Sequence, residues 1–228
     1  MPPSAANRST RNRLRCLTLL LALGGLPAAA QEAPPAASPP SHTGFAVGAR
    51  MGYGFPFGDS RQGFALDQVL EGVVAPQVEL SWFFTPHFAL DLQGQYGLAR
   101  YPLTCGDETC RGGVLRLGVG VSYHFFSTGA WSHWVGAGVG YERQTTRQEV
   151  VGGKASSTQW GLELLNLQGG VDYALSENVR VGPCLTGAMG MYLQQRSVFN
   201  GQEGGSESID DRAIHFWVQP GIRLQLRL

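Results

Sequence analysis

The amino-acid sequence predicts an all-β fold, an eight-stranded antiparallel up-and-down transmembrane β-barrel whose lumen is filled or narrow. Two observations predict this fold. Eight segments alternate between large apolar residues and small or polar ones with a period of two, which places successive side chains on opposite faces of a strand. The connections between these segments alternate between short and long, as in up-and-down barrels that cross a membrane.

The composition excludes some classes of function. Glycine accounts for 32 of the 228 residues, about twice the usual share, and charged residues make up only 15%. The first thirty residues contain four arginines and no acid, which leaves 13 basic and 17 acidic residues in the remainder. A chain of that charge has no basic stripe to displace counterions, so nucleic-acid binding has no support.

The N-terminus has the features of a secretory signal. A basic stretch ends at Arg15, an apolar core occupies residues 17–26, and small residues precede Gln31. We expect cleavage after Ala30, so that residues 1–30 form a signal peptide. The alternative is a membrane anchor, but the apolar run is about half of the ~20 residues that a spanning helix needs. No second apolar run of that length exists, so membrane insertion would use strands.

The remaining chain divides into a linker and a barrel. Residues 31–43 are rich in Pro, Ala and Ser, which favours an extended linker, and residues 44–228 contain the alternating segments. In the first segment Phe45, Val47 and Met51 share one face, while Gly48 and Arg50 share the other. The eight predicted strands are residues 44–55, 77–84, 88–98, 115–125, 134–142, 162–173, 179–193 and 214–228.

The sixth predicted strand is the least regular. Leu162 and Leu164 have one parity, whereas Leu165 and Leu167 have the other. One extra residue in the strand restores the alternation, so we expect a β-bulge near Leu164.

The lengths of the connections distinguish the two ends of the predicted barrel. The short ones are residues 85–87, 127–132 and 174–178. The long ones are residues 58–72, 102–113, 144–157 and 196–211. Short turns on one rim and long loops on the other predict four extracellular loops.

The chemistry of the two faces predicts which one lies inside. The polar parity is rich in Gly, Ala and Ser, which suit a narrow interior, and the other parity has large aliphatic and aromatic groups suited to lipid. Aromatic residues near the strand ends fit girdles at the bilayer interfaces. They are Tyr53, Trp82, Phe84, Phe88, Tyr123, Phe125, Tyr141 and Tyr173.

The polar parity also contains charged residues of both signs. Charges removed from water need partners, so we expect a network that fills the lumen, and a functional conduit is the alternative. The predicted lumen network comprises Arg50, Glu79, Asp91, Arg116, His124, Glu142, Asp172, Arg180, His215 and Arg223.

Three stretches resemble a known family. They are the turn FTPHFAL at residues 84–90, the turn LSENVRVGP at residues 175–183, and the ending QPGIRLQLRL at residues 219–228. With them, residues 44–228 resemble the small outer-membrane β-barrels of the OmpA, OmpX and OmpW kind. The resemblance implies a bacterial outer-membrane location, contact with outer-membrane lipids, and an ending read by the barrel-insertion machinery. The chain departs from that family by finishing with Leu228, where the family often has an aromatic residue.

The cysteines suggest a disulfide. Cys105 and Cys110 lie in one long loop, and an exported loop meets an oxidising compartment, so a local disulfide is favoured over a metal site. Cys184 has inward parity and no partner in the sequence. Cys16 leaves with the signal peptide.

No catalytic motif stands out. The five histidines are scattered, and no pair has the spacing of a helical metal motif. No His and Ser lie near an acid of matching strand parity. We therefore expect no enzyme activity, no cofactor and no metal.

The sequence favours an integral outer-membrane scaffold whose four extracellular loops contact an external ligand or surface partner, as in adhesion. A narrow channel for small apolar molecules is the alternative, and a lipid-modifying enzyme is less favoured.

Overall fold

The structure, a computed structural model, describes residues 43–101, 110–125, 129–150 and 152–228. The predicted signal peptide and residues 31–42 of the predicted linker lie outside the described residues, so both assignments stay predictions. In the described part of the chain, no helix is long and apolar enough to cross a membrane.

Eight long strands form the wall of the barrel. They are β1 (Gly44–Arg61), β3 (Gly72–Phe83), β4 (Phe88–Arg100), β5 (Cys110–His124), β6 (Trp131–Val150), β7 (Gly153–Ala174), β8 (Val179–Phe199) and β10 (His215–Arg227). Three short elements lie among them, namely β2 (Phe64–Ala65), α1 (Leu66–Val69) and β9 (Gln202–Ser208).

The eight long strands close into a ring. Each pairs antiparallel with the long strand before and after it, and β10 pairs with both β1 and β8. The register joins Met51 to Ile222 on one side of β10 and Ile222 to Pro183 on the other. The predicted eight-stranded antiparallel barrel is confirmed.

The two faces of the wall differ sharply in exposure. On β10, Ile222 is 61% exposed and the next residue, Arg223, is 1% exposed. Phe216 and Val218 also point outward, while Trp217 between them is buried. A soluble barrel would bury the apolar side chains and expose the charges. An apolar outer face around a polar interior is the architecture of a β-barrel that spans the bacterial outer membrane.

Aromatic side chains cluster at the end with the short turns. Phe45 packs edge-on against Trp82 with ring centroids 4.5 Å apart, and Trp131 lies 4.9 Å from Tyr173. Exposed aromatic pairs at the rim of an apolar wall suit the interface between lipid and water.

The predicted bulge in the sixth barrel strand is confirmed. The register between β7 and β8 passes from Glu163 opposite Gly190 to Leu165 opposite Met189, so Leu164 is the extra residue. The bulge turns Glu163 inward and keeps Leu162 and Leu165 on the outer face.

All four predicted long loops contain strand, and the predicted boundaries at residues 58–72 and 102–113 are wrong because β1 continues to Arg61 and β5 begins at Cys110. The predicted boundaries at residues 144–157 and 196–211 are wrong, because β6 and β7 stay paired as far as Val150 and Gly153, and β8 continues to pair with β9. Beyond the lipid both faces of a strand meet water. Apolar residues therefore no longer mark one face, and the period of two disappears from the sequence although the strand continues.

The first long connection folds into the mouth of the barrel. Leu66 and Leu70 are completely buried and pack with Val73, Val114 and Trp217, whose side chains belong to the inner face. The Leu70 amide donates a hydrogen bond to the Leu66 carbonyl at 2.9 Å, which closes the single turn of α1. We call this group the apolar plug.

Candidate functional site

The lumen gathers the polar residues that the sequence analysis assigned to it. All ten predicted side chains belong to residues no more than 6% exposed. Most of them lie in two clusters. The first, the Glu79 cluster, contains Arg50, Glu79, Trp134, Gln168, Asp172 and Arg223. The second, the Glu142 cluster, contains Arg116, Glu142, Glu163, Asn166, Tyr192, His215 and Trp217.

Glu79 is the acceptor at the centre of the first cluster. Arg223 Nη2 donates to Glu79 Oε1 at 2.6 Å, and Arg50 Nη2 donates to Glu79 Oε2. Ser81 Oγ lies 3.3 Å from Glu79 Oε1 and donates a third hydrogen bond. The other amino group of Arg50 donates to Gln168. Two guanidinium groups thus share one carboxylate, which joins the consecutive strands β10, β1 and β3 from inside the ring.

Asp172 and Trp134 complete this cluster. Arg223 Nη1 donates to Asp172 Oδ2 at 3.3 Å, and Trp134 Nε1 donates to Asp172 Oδ1 at 3.2 Å. The guanidinium carbon of Arg223 lies 4.2 Å from the centre of the Trp134 ring, and that of Arg50 lies 4.8 Å from it. Both cations therefore lie close to the indole ring and are attracted to it.

Glu142 accepts from four donors in the second cluster. Arg116 Nε lies 3.1 Å from Glu142 Oε2. The other oxygen is within hydrogen-bond distance of the Tyr192 hydroxyl at 2.5 Å, His215 Nε2 at 3.1 Å and Trp217 Nε1 at 3.3 Å. Glu142 is 1% exposed, so these donors replace the water that its carboxylate would otherwise bind.

Glu163 extends the Glu142 cluster. Its Oε2 atom lies 3.6 Å from Arg116 Nε, and its Oε1 atom accepts a hydrogen bond of 2.8 Å from Asn166 Nδ2. The Arg116 guanidinium also lies 4.5 Å from the centre of the Trp217 ring. One arginine thus faces two carboxylates and an indole, and little space remains around it.

Three predicted residues stay outside the ion-pair clusters. Arg180 donates to Ser132 Oγ at 2.7 Å, and the His124 ring lies 5.0 Å from that of Phe83. Asp91 is 2% exposed, and no salt bridge to it occurs among the described residues.

The prediction omitted several lumen residues. Trp134, Tyr192 and Trp217 have the inward parity of their strands, but the predicted network was limited to charged residues and histidines. Their polar N–H and O–H groups, each bonded to a buried carboxylate, are the signal that separates them from lipid-facing aromatics. Glu163 was missed because its direction depends on the bulge at Leu164. Glutamines also bridge the lumen, as Gln95 Nε2 does to Gln219 Oε1 at 3.1 Å.

The cysteines fall into two groups. Cys110 is disulfide-bonded, and its predicted partner Cys105 lies outside the described residues, so that pairing stays a prediction. Cys184 is a free, partly buried thiol on β8. Within the ranges that the structure describes, no group of three His, Cys, Asp or Glu side chains could hold a metal ion.

The chemistry of the lumen is that of a buried network in which the carboxylates of Glu79 and Glu142 are bonded, while both ring nitrogens of His124 and Oδ1 of Asp91 have no hydrogen-bond partner among the described residues. His215 is completely buried, contacts Glu142 and stacks on Tyr192 with ring centroids 4.4 Å apart. A histidine enclosed by a carboxylate and a phenol is held in place rather than presented to a substrate.

Comparisons with known proteins concern the fold. No protein-family model and no curated protein sequence matches the chain. Among solved structures, Neisserial surface protein A is 15% identical, with 79% of this chain and 96% of that chain covered and a TM-score of 0.45. The outer membrane protein OprG from Pseudomonas aeruginosa is 12% identical, with coverage of 82% and 99% and a TM-score of 0.45. The outer membrane protein AlkL is 15% identical, with coverage of 87% and 97% and a TM-score of 0.45. The similarity to these proteins is one of architecture.

Proposed function

We propose that the chain is an integral scaffold of the bacterial outer membrane that contributes to envelope structure and presents its external hairpins to a ligand or surface partner. The observation that carries this proposal is a lumen filled by ion-paired side chains within an apolar wall. Such a barrel is built to be stable in lipid rather than to conduct.

The filling of the lumen supports a closed barrel. The Glu79 and Glu142 clusters join non-adjacent strands, as between Arg50 on β1 and Gln168 on β7, and between Glu142 on β6 and His215 on β10. The apolar plug covers the end with the long connections. A continuous water-filled path would have to separate buried ion pairs, which costs several kcal/mol for each partner left unpaired.

The external hairpins support partner contact. The β6–β7 hairpin is paired to its tip, and β9 extends the sheet beside β8. All seven residues of β9 are exposed, and among the described strands β9 pairs only with β8. A free strand edge on a rigid hairpin can accept an extended segment of another protein by main-chain hydrogen bonds.

The buried lumen network also supports the proposal that the protein has no enzyme activity. A hydrolase needs a nucleophile, a base and a site that substrate can reach. In the Glu142 cluster, Glu142 and His215 are buried and bonded to each other, and Glu163 is buried and accepts from Asn166.

A second candidate, a route for small apolar molecules, has one observation in its favour. A groove of about 750 Å³ lies on the wall, and its lining includes Met51, Pro76, Val78 and Ile222. Pro76 has no amide hydrogen and no partner residue on β4, so the pairing of β3 with β4 is interrupted beside this groove. Uptake of a small apolar solute that is unchanged by deletion of the protein would remove this candidate.

Recording from planar bilayers tests the proposed function. We expect the folded protein to insert and to show no large, stable conductance. The matched positive control is the double variant Arg116→Ala with Glu142→Ala. It removes the Arg116–Glu142 ion pair together with the contacts of Arg116 to Glu163 and of Glu142 to His215, and we expect it to conduct more. Large, stable conductance of the unmodified protein would contradict the proposed scaffold function.

The proposal includes the maturation of the chain. We infer that a signal peptide is removed after Ala30 and that the C-terminal residues are read by the barrel-insertion machinery. N-terminal sequencing of the protein from outer membranes should begin at Gln31. A start at Met1 would contradict the cleavage.

A further inference from the structure

A groove on the outside of the barrel is lined by three arginines. Arg111 on β5 and Arg143 and Arg147 on β6 are all exposed and surround a space of about 410 Å³, with Tyr96 and Leu115 among the other lining residues. We call it the arginine groove. It is separate from the lumen, because these side chains have the outward parity of their strands.

Among the described residues, no acidic side chain forms an ion pair with the arginines of this groove. Arg111 and Arg147 are direct cross-strand partners, and like charges placed opposite each other destabilise a sheet. Within the described residues, none of the three arginines has a salt bridge. Other exposed cations nearby do have one, since Lys154 lies 3.3 Å from Glu149. The described part of the groove therefore offers three unpaired cations to an anion from outside the chain.

The arginine groove lies directly beyond the apolar wall. Arg143 follows Tyr141 by two residues on the same face, and its cross-strand neighbours are Leu115 and Trp160. Two residues advance a strand by about 7 Å, so the guanidinium group lies near the boundary between lipid and water. Leu117, the cross-strand partner of Tyr141, is 52% exposed on the lipid side of this boundary.

Glycine shapes one wall of the groove. A Cβ at Gly113 would lie 2.9 Å from the Cζ and hydroxyl oxygen of Tyr96. The missing side chain lets the Tyr96 phenol lie across the strand, beside the arginines. The phenol adds a neutral hydrogen-bond donor to three cationic ones.

We propose that the arginine groove binds the phosphorylated headgroup of a glycolipid in the outer leaflet. Guanidinium groups match phosphate oxygens in bidentate pairs, and the apolar wall below the groove suits the acyl chains of the same molecule. This inference rests on the proposed function, because it requires the barrel to lie in the outer membrane with its long hairpins outside.

The test uses diphosphorylated lipid A as the probe. Binding to the detergent-folded full chain is measured by native mass spectrometry, with lipid A stripped of both phosphates as the matched ligand. The first variant is the triple variant R111Q/R143Q/R147Q. The second is R143Q alone, which keeps the test valid if the triple variant does not fold. Arg100→Gln is the control, because Arg100 is exposed at the end of β4 and does not line the groove.

We expect the triple variant to bind the diphosphorylated lipid about tenfold or more weakly, R143Q to bind it severalfold more weakly, and R100Q to stay within about twofold of the parent. The stripped lipid should bind all forms equally and weakly. Equal binding by parent and triple variant, an equal loss in R100Q, or equally tight binding of inorganic phosphate would overturn the lipid site. Heat-modifiable migration of each form on a gel separates the two proposals. If the protein folds as a barrel and its lipid binding does not depend on the arginines, only the lipid site is contradicted. If the protein does not fold in detergent or lipid, the proposed function is contradicted.

Discussion

Glu142 on β6 and His215 on β10 are 73 residues apart in the sequence, yet Glu142 Oε1 and His215 Nε2 lie 3.1 Å apart across the lumen. The two strands are not neighbours in the sheet, so this contact joins separate parts of the wall. The hydrogen bond shows that the lumen at this level is as narrow as two side chains. The stability of the barrel should therefore depend on the residues inside it.

Removal of the Glu142 carboxylate should destabilise the barrel strongly. Glu142→Ala leaves Arg116 with Glu163 alone at 3.6 Å and deprives His215 and Trp217 of their acceptor, while the Tyr192 hydroxyl keeps only Gln144 Oε1 at 2.9 Å. We expect a loss of about 3–5 kcal/mol in the free energy of unfolding, because a buried charge loses its partner.

Urea unfolding of the protein in lipid vesicles, followed by tryptophan fluorescence, measures this loss. The control is Glu149→Ala, whose partner Lys154 has an 80% exposed side chain, and it should change the free energy of unfolding by less than about 0.5 kcal/mol. Similar losses in both variants would contradict a structural role for the lumen network.

The faces of the barrel strands could be predicted because lipid imposes a period of two on them. Ten of the charged and histidine residues of the lumen followed from that parity alone. The tips of β6, β7 and β8 could not be predicted, since water on both sides removes the pattern. The apolar plug could not be predicted either, because α1 has a single turn, and two leucines four residues apart are too few to establish a helical period. The inward direction of Trp217 followed from parity, whereas its hydrogen bond to Glu142 across the lumen could not be predicted.

Two glycines on β8 should respond differently to an added methyl group. A Cβ at Gly182 would meet the Val171 carbonyl oxygen at 1.8 Å, whereas a Cβ at Gly187 has nothing within 4 Å. Gly182→Ala must push β7 and β8 apart, so we expect a loss of about 1–3 kcal/mol in the same unfolding measurement. Gly187→Ala should be neutral or slightly stabilising. An equal effect at the two positions would show that the strands do not approach as closely as the structure has them.

The apolar plug should open when its buried leucine is shortened. Leu70→Ala removes a completely buried side chain, which costs about 2–5 kcal/mol in a packed core. We expect much of this cost to appear as local opening, and hence as faster protease cleavage within residues 60–71 of the folded protein. Val69→Ala is the control, because Val69 is 39% exposed and should leave the cleavage rate unchanged. Protection that persists in Leu70→Ala would contradict the packing of α1 inside the mouth.

The predicted disulfide determines which cysteines should react with a maleimide before and after reduction. In unfolded mature protein kept under oxidising conditions, a maleimide should label Cys184 and neither Cys105 nor Cys110. Reduction before labelling should add both of these residues, because a disulfide carries no free thiol. Peptide mass spectrometry identifies the labelled sites. Labelling of Cys105 without reduction would contradict its pairing with Cys110.

The central claim is that this chain is a closed barrel whose apolar face lies in the outer membrane. The most direct measurement is gel migration before and after boiling, made on separated outer-membrane and periplasmic fractions. We predict that the protein is found in the outer-membrane fraction and that unboiled and boiled samples migrate differently, because a closed barrel resists detergent until it is heated. Recovery in the periplasmic wash, with the same migration before and after boiling, would contradict the claim.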